Sequence, residues 1–343
     1  MADLYTLARR ARAEIIRTDT AAAERLMRIY GDVYRRLSAE ADAIAARIEA
    51  ARQRGERISA AQLYQEGRLQ RLRAQALDEL QRAQDRAVPA VNGAIDIARA
   101  QGAGSARAMA EGVLPPGFSA TLPSTTILQA ATLSMPGSPV AALFATIAPQ
   151  GAEAIVQAIV GGIAAGSHPT VVARGIRTAL GGNAVRALTI SRTEIMRAHR
   201  EAARETYQRS SNVIRGWVWV AGLGARTCAS CWAQNGTVHP LDEQMATHPR
   251  CRCVAAPQTV SWAELGVSLP EPAPVPYGPD LFATQPAALQ RQVLGDSKYE
   301  AYRRGQVHLE DFVARRHSPE WGASTSEASL VEARRNAAVP RAA

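Results

Sequence analysis

The sequence predicts a mainly α-helical protein with a long N-terminal helical hairpin and a small α+β knuckle region stapled by cysteine and histidine. Three observations predict it. Apolar residues recur at three- and four-residue steps through residues 3–110, which is the period of an amphipathic helix. Aromatics make up only 5% of the chain and alanine carries much of the apolar share, which favours helix packing over a β-sandwich. All four cysteines fall between Cys228 and Cys253, with His239 and His248 among them.

Residues 1–111 read as the hairpin. Leu4, Leu7, Ala11, Ile15, Ala22, Leu26, Tyr30, Val33 and Leu37 make one stripe, and Gly55 interrupts it. Ser59 and Gln62 have the spacing of a capping box. A second stripe follows through Leu69, Leu72, Ala76, Leu80, Ala83 and Ala87, and Pro89 is expected to break or kink it. Residues 112–139, rich in Pro, Gly, Ser and Thr, read as a linker. Residues 140–256 read as a helical domain with a tryptophan-rich strand and the knuckle. Gly161-Gly162, His168-Pro169 and Gly181-Gly182 are expected to cut its helical part into short helices. The strand is Val213 to Ala221, closed by a turn at Gly222-Leu-Gly224. Residues 257–286 read as a Pro-rich linker, 287–317 as a C-terminal helical segment, and 318–343 as a flexible tail.

The chain has 343 residues, a net charge of +9 and a single lysine, Lys298. Arginine suits bidentate phosphate contact, and the excess of base points to a polyanionic partner. The predicted helix over 184–209 concentrates this charge. Arg186, Arg197, Arg200, Arg204 and Arg209 are its nucleic-acid candidates, although Glu201 and Glu205 can pair locally with Arg204 and Arg209. No secretory leader is legible at the N-terminus, so synthesis in a cytoplasm is expected. The apolar stretch Val140 to Ala165 contains Pro149, Gln150, Glu153 and Gln157 and reads as a buried helix rather than a membrane span.

In a reducing compartment a thiol cluster more often holds metal than disulfides. Cys228-x2-Cys231 supplies one ligand pair, and His248, Cys251 and Cys253 offer three candidates for the second. Zinc needs four, so an all-thiolate site and a site of three thiolates and one imidazole both remain open. Disulfides and free structural thiols are the alternatives. His239 is a weaker ligand candidate. Cys231-Trp232 echoes a papain-type nucleophile, but the histidine spacing fails. The zinc deaminase order is reversed and lacks its glutamate. No Walker A, G-x-S-x-G or H-E-x-x-H occurs.

Ser191-Arg192-Thr193-Glu194, Trp217-Val-Trp219, Cys228-x2-Cys231, Gly236 and His248-Pro-x-Cys251-Arg-Cys253 follow one another across 185–257. In order and spacing this series resembles the Mu F-like phage minor head proteins, part of the wider phage head-morphogenesis family. Gln292-Val-Leu-Gly295, Tyr299, Tyr302, Gly305 and Trp321-Gly322 are similar to the tail of these proteins. The resemblance implies a non-enzymatic minor structural protein of a tailed-phage head, associated with the portal and acting in head morphogenesis and genome packaging or delivery. It implies portal, major capsid or scaffold proteins as partners, and a location in the virion after assembly in the host cytoplasm. Double-stranded DNA is a further expected partner, and a small-molecule substrate is not. The competing readings are a metal-dependent DNA-processing enzyme and a membrane-active ejection protein using residues 140–165. Arg192 and Glu194, two apart on a helix, do not face each other, so each is expected to make its own buried contact near the knuckle.

Overall fold

The computed structural model describes residues 3–56, 59, 62, 67–115, 118 and 140–339, with backbone alone for Arg68. The chain is 66% helical with about 10% strand. Two units divide it: Met1–Thr18, Ile95–Gly137 and Ile195–Ala343 make one, Asp19–Ala94 and Ser138–Glu194 the other. The expected linker over 112–139 lies mostly outside the described residues.

Helices α1 (Leu4–Gln53) and α2 (Arg68–Val113) form the N-terminal hairpin. Their buried residues are the apolar stripes of the sequence: Leu4, Ala11, Ile15, Leu26, Val33 and Leu37 on α1, and Leu69, Leu72, Ala76, Leu80 and Ala83 on α2. The register is antiparallel, with Asp32 near Arg86 and Arg36 paired to Glu79 at 2.6 Å. Helix α1 ends at Gln53, where the Glu56 amide donates back to the Ala51 carbonyl across the turn at Gly55. The capping box at Ser59 and Gln62 forms in both directions, at 2.7 and 3.2 Å.

Pro89 does not end α2. A proline inside a helix costs about 3 kcal/mol, but Leu80, Ala87 and Val91 are all buried on the same face and hold the helix through it.

In the second unit, α3 (Val140–Ala145) and α4 (Ile147–Ala164) precede the first half of α5 (Pro169–Arg209). Gly181-Gly182 does not interrupt α5. Each glycine costs about 1 kcal/mol, which the burial of Ile176, Leu180, Ala187 and Ile190 on the same helix offsets. Pro169 opens α5 at its first position, where a missing amide costs nothing. Val140–Ala164 is long and apolar enough to cross a membrane by length and composition, which the sequence reading did not expect. Within this unit, however, it is a core element: Ile147, Ile155 and Ile159 are buried, and Gly151 lies against Asn183 of α5.

The first unit holds a three-stranded antiparallel sheet in the order β2–β1–β3, from β1 (Ile214–Val220), β2 (Val238–Pro240) and β3 (Val254–Thr259). The expected strand is therefore the central one. Strand β3 tolerates Pro257 because it is an edge strand. Trp217, Trp219, Tyr207 and Ile214 form a core with the buried cysteines.

The segments expected to be linker and tail are folded. Trp262 is buried and donates its indole N–H to the Val113 carbonyl at 3.0 Å. Helices α7 (Gly278–Ala283), α8 (Ala287–Leu294) and α9 (Asp296–Arg303) lead to a 3-10 turn over Leu309–Phe312. A hairpin of β4 (Val313–Ser318) and β5 (Gly322–Glu327) and helix α10 (Leu330–Ala337) occupy most of the expected tail. The reason is a second core around Trp232, on α6 (Ala229–Gln234), with Phe282, Leu294, Tyr299, Leu309 and Phe312. Trp232 meets Phe282 edge-on at 5.2 Å.

Gly102 of α2 lets α5 approach it. A Cβ at Gly102 would stand 2.2 Å from the backbone oxygen of His199, whereas one at Gly104 would meet nothing within 4 Å. Gly102→Ala is expected to destabilise the protein by about 3 kcal/mol through overpacking against backbone. Gly104→Ala is expected to be neutral or stabilising by up to about 1 kcal/mol. Urea unfolding of both variants checks the pair, and equal effects would contradict this packing.

A Cys/His centre at the end of the sheet

The ligand residues converge because of strand register. Val220 at the end of β1 pairs with Val254 at the start of β3. The chain leaving β1 therefore reaches Cys228 and α6 beside the chain entering β3, which carries Cys251 and Cys253. Cys228 sits at the N-cap of α6 in an extended conformation, and Cys231 lies within the helix.

Between the two pairs, His248-Pro-Arg-Cys251 makes a tight turn. The Cys251 amide donates to the His248 carbonyl at 3.2 Å, and Arg250 takes a φ of 68°. This is the pattern of a type II turn, with proline at the second position and a left-handed third residue.

Two overlapping triads result: Cys228, Cys231 and His248, then Cys231, Cys251 and Cys253, with all ligand atoms of each triad within 4.8 Å of one another. His248 Nε2 stands 3.4 Å from both Cys228 Sγ and Cys231 Sγ, and Cys231 Sγ is 3.8 Å from Cys251 Sγ. Zinc bonds of about 2.3 Å to sulfur and 2.0 Å to nitrogen give tetrahedral edges of about 3.8 Å and 3.5 Å. The side chains are thus already at ligand spacing. All four cysteines are free thiols, and no pair is at bonding distance.

The surrounding groups favour ligation. His248 Nδ1 is 2.9 Å from the Pro249 carbonyl, so the Nδ1–H donates there and Nε2 faces the sulfurs. Arg200 is buried and clamps the Cys251–Cys253 loop: Nη2 donates to the Cys251 carbonyl at 2.8 Å, Nε to the Cys253 carbonyl at 3.0 Å, and Nη1 to Thr247 Oγ1 at 2.8 Å. Arg12 Nε donates to the Arg252 carbonyl at 2.8 Å. The hydrogen bond with Cys231, aided by His248, holds the Cys228 thiol at about 5 against the opposing effect of burial. The hydrogen bonds of Cys231 and Cys253 hold Cys251 well below the usual thiol range. Burial lowers His248, but hydrogen bonds to Cys228 and Cys251 outweigh it and hold the imidazole at about 11. Cys228 and Cys251 are thus biased toward thiolates beside an imidazolium, whereas Cys231, through its hydrogen bonds with the neighbouring thiols and its burial, and Cys253 are pushed well up. The imidazolium and these two thiols must lose protons to bind metal.

The other expected site residues divide clearly. Trp217 and Trp219 are buried on β1. Trp217 donates its indole N–H to the Glu243 carbonyl and stacks on His239 at 4.1 Å. His239 is held by Thr237 and Glu243 and belongs to neither triad, so it is not brought to the centre. Gly236 takes a φ of 82° in a turn where a Cβ would lie 2.7 Å from the Pro276 carbonyl. Arg192 pairs with buried Asp19 of α1 at 2.8 Å, so its contact is with the hairpin and not the knuckle. Thr193 donates to the Thr189 carbonyl at 2.7 Å, and Glu194 is buried.

The α5 arginines do not form an open phosphate-binding row. Arg200 is consumed by the cysteine loop. Arg204 and Arg209 pair with Glu201 and Glu205, and Arg197 donates to the Trp321 carbonyl. Arg186 is half-buried.

Glu327 of β5 was not anticipated. It accepts from the Ala229 amide at 3.0 Å, at the first turn of the helix that carries Cys231, and it pairs with Lys298.

No curated protein and no solved structure matches the chain. Residues 153–256 match the family model described as phage Mu protein F like protein. The matched stretch runs from α4 into β3 and takes in Arg192, both tryptophans, α6 and every ligand of the two triads. Residues 153–256 of this chain are therefore similar to the phage Mu protein F like proteins.

Proposed function

We propose that this chain is a minor structural protein of a tailed-phage head. In this reading it acts in head morphogenesis at the portal, takes part in genome packaging or delivery, and contacts double-stranded DNA without sequence preference. The observation that carries it is the match of residues 153–256, which enclose the whole Cys/His centre. The centre is read as a structural zinc site held by Cys228, Cys231, His248 and Cys251. A bound zinc would cross-link α6 to the loop entering β3 and supply folding energy. Thiolate-rich donors select zinc over magnesium or calcium. Neither triad contains a carboxylate among the described residues, which favours a structural ion over a hydrolytic one.

Cross-linking mass spectrometry on purified heads tests the assignment. The expected result is this protein in few copies per head, cross-linked to portal subunits. Its absence from heads made in its presence would overturn the reading.

A further inference from the structure

An open cavity of about 360 Å³ lies against the Cys/His centre. Four arginines line it, Arg12, Arg226, Arg250 and Arg252, and no acidic side chain does. We propose that this arginine-rimmed cavity is a phosphate-binding site for the nucleic-acid backbone, so that DNA is gripped at the metal knuckle and not along helix α5. This rests on the DNA-binding part of the function proposed above and gives it a location.

The charge balance supports an anion. Three thiolates and a neutral imidazole around a divalent ion carry a net charge of about −1. Four guanidinium groups line the cavity beside them, with no carboxylate in its lining. Arg226 and Arg250 are exposed at the rim, and Arg12 and Arg252 are half-buried. Among the described residues, neither Arg12 nor Arg226 pairs with a carboxylate.

The geometry is built rather than incidental. Arg12 is fixed by its hydrogen bond to the Arg252 carbonyl, so the hairpin helix α1 brings a cation to a rim formed by residues more than two hundred positions away. The third position of the His248–Cys251 turn favours glycine, yet it holds Arg250 at a φ of 68°. Such a conformation costs about 1–3 kcal/mol and is concentrated at ligand clamps. A rim of arginine alone, in place of lysine, matches the planar bidentate geometry of a phosphodiester. Metal and anion are also coupled: without the ion, the thiolates would oppose the phosphate at short range.

The test is fluorescence anisotropy of a labelled 20-base-pair duplex with the full-length, zinc-loaded protein, over a range of salt. The variants are Arg226→Gln, Arg250→Gly and the pair. Arg250→Gly suits the left-handed turn and removes the guanidinium without straining the backbone. Arg204→Gln/Arg209→Gln on α5 is the control. Each rim substitution is expected to weaken binding several-fold and reduce the salt slope by about 1, with the pair reducing it by about 2. The α5 control should change neither. Zinc content and circular dichroism establish that each variant is folded.

If the wild-type chain binds DNA but the rim variants bind equally well, the site assignment fails while the DNA reading stands. If the wild-type chain binds no DNA at low salt, both fail. Inorganic phosphate, added at constant ionic strength, separates the two sources of this chemistry. Displacement of DNA only at many millimolar supports a backbone site. Saturable phosphate binding that needs Arg226 and Arg250, with no DNA binding, would overturn the proposal in favour of a free-phosphate site.

Discussion

Removing the metal from the reduced protein is expected to lower its thermal midpoint by ten degrees or more and to unmask all four thiols. The expectation follows from what holds the knuckle together. Helix α6 has only six residues and no side-chain cap at Cys228, so it cannot persist on propensity alone. The loop through Cys251 and Cys253 is tied to the rest by Arg200 and by the ligand atoms. Structural zinc contributes roughly 10 kcal/mol or more in small zinc-dependent folds. Here two tryptophan-centred cores share the load, so the loss should be partial rather than complete. The substitutions should rank by position in the triads. Cys231 belongs to both triads, so Cys231→Ser should cost most, roughly 3 kcal/mol or more. His248→Ala should also release the ion, because Nε2 is presented to two sulfurs by its Nδ1–H donation to Pro249. Cys253→Ser should retain about one zinc per chain, since His248 hydrogen-bonds to Cys228 and Cys251 and not to Cys253. Elemental mass spectrometry with thiol titration reads all of these. The reverse result, zinc kept by His248→Ala and lost by Cys253→Ser, would make the site an all-thiolate one.

Much of this centre was legible in the sequence because its cysteines and histidine recur at short fixed spacings within one window. What spacing alone left open was which residues meet. His239 lies only eight positions after Cys231, but strand β2 commits it to stacking on Trp217. The hairpin was legible for a different reason: long stripes at helical period are redundant, and one proline or one glycine pair cannot overrule them. That redundancy is also why Pro89 and Gly181-Gly182 were overestimated as breakers. The segment after residue 257 was misread because its elements are short and its strands are polar on both faces. Strand β5 buries little beyond Thr325. One signal was present: Ser329-x-x-Glu332 is a capping box, and it opens α10 with hydrogen bonds in both directions. The hold of Glu327 on the first turn of α6 had no local signal, because it joins residues almost a hundred positions apart. The partners of the α5 arginines were hidden for a related reason. Charge along a helix does not reveal which guanidinium is spent on backbone carbonyls, as Arg200 is.

Acid is expected to destabilise this protein through His199 at pH values where carboxylates are still ionised. His199 lies on α5 and is fully buried. Burial, with the neighbouring Arg200 cation as a second cause, lowers its imidazole to about 3. Its Nε2 stands 3.4 Å from Ser105 Oγ of α2, and its Nδ1 has no hydrogen-bond partner among the described residues. The folded protein therefore refuses a proton that the unfolded chain accepts below the ordinary imidazole value of about 6.5. The unfolded state binds more protons between those two limits, so stability rises with pH across the window and is lost as pH falls through it. The loss approaches tenfold in the folding equilibrium for each pH unit, beginning near 6.5. The backbone offers no relief, because α2 already touches the His199 carbonyl at Gly102, and the helices would have to part to admit water to the ring. Urea unfolding of the wild-type chain between pH 7.5 and 5.5, with zinc content followed in parallel, should show this slope while the metal is still bound. His199→Gln lowers stability at pH 7.5 but should flatten the slope by about one proton, because glutamine does not titrate. The slope, not the level, decides the matter: equal slopes in the two proteins would mean that some other group takes up the proton.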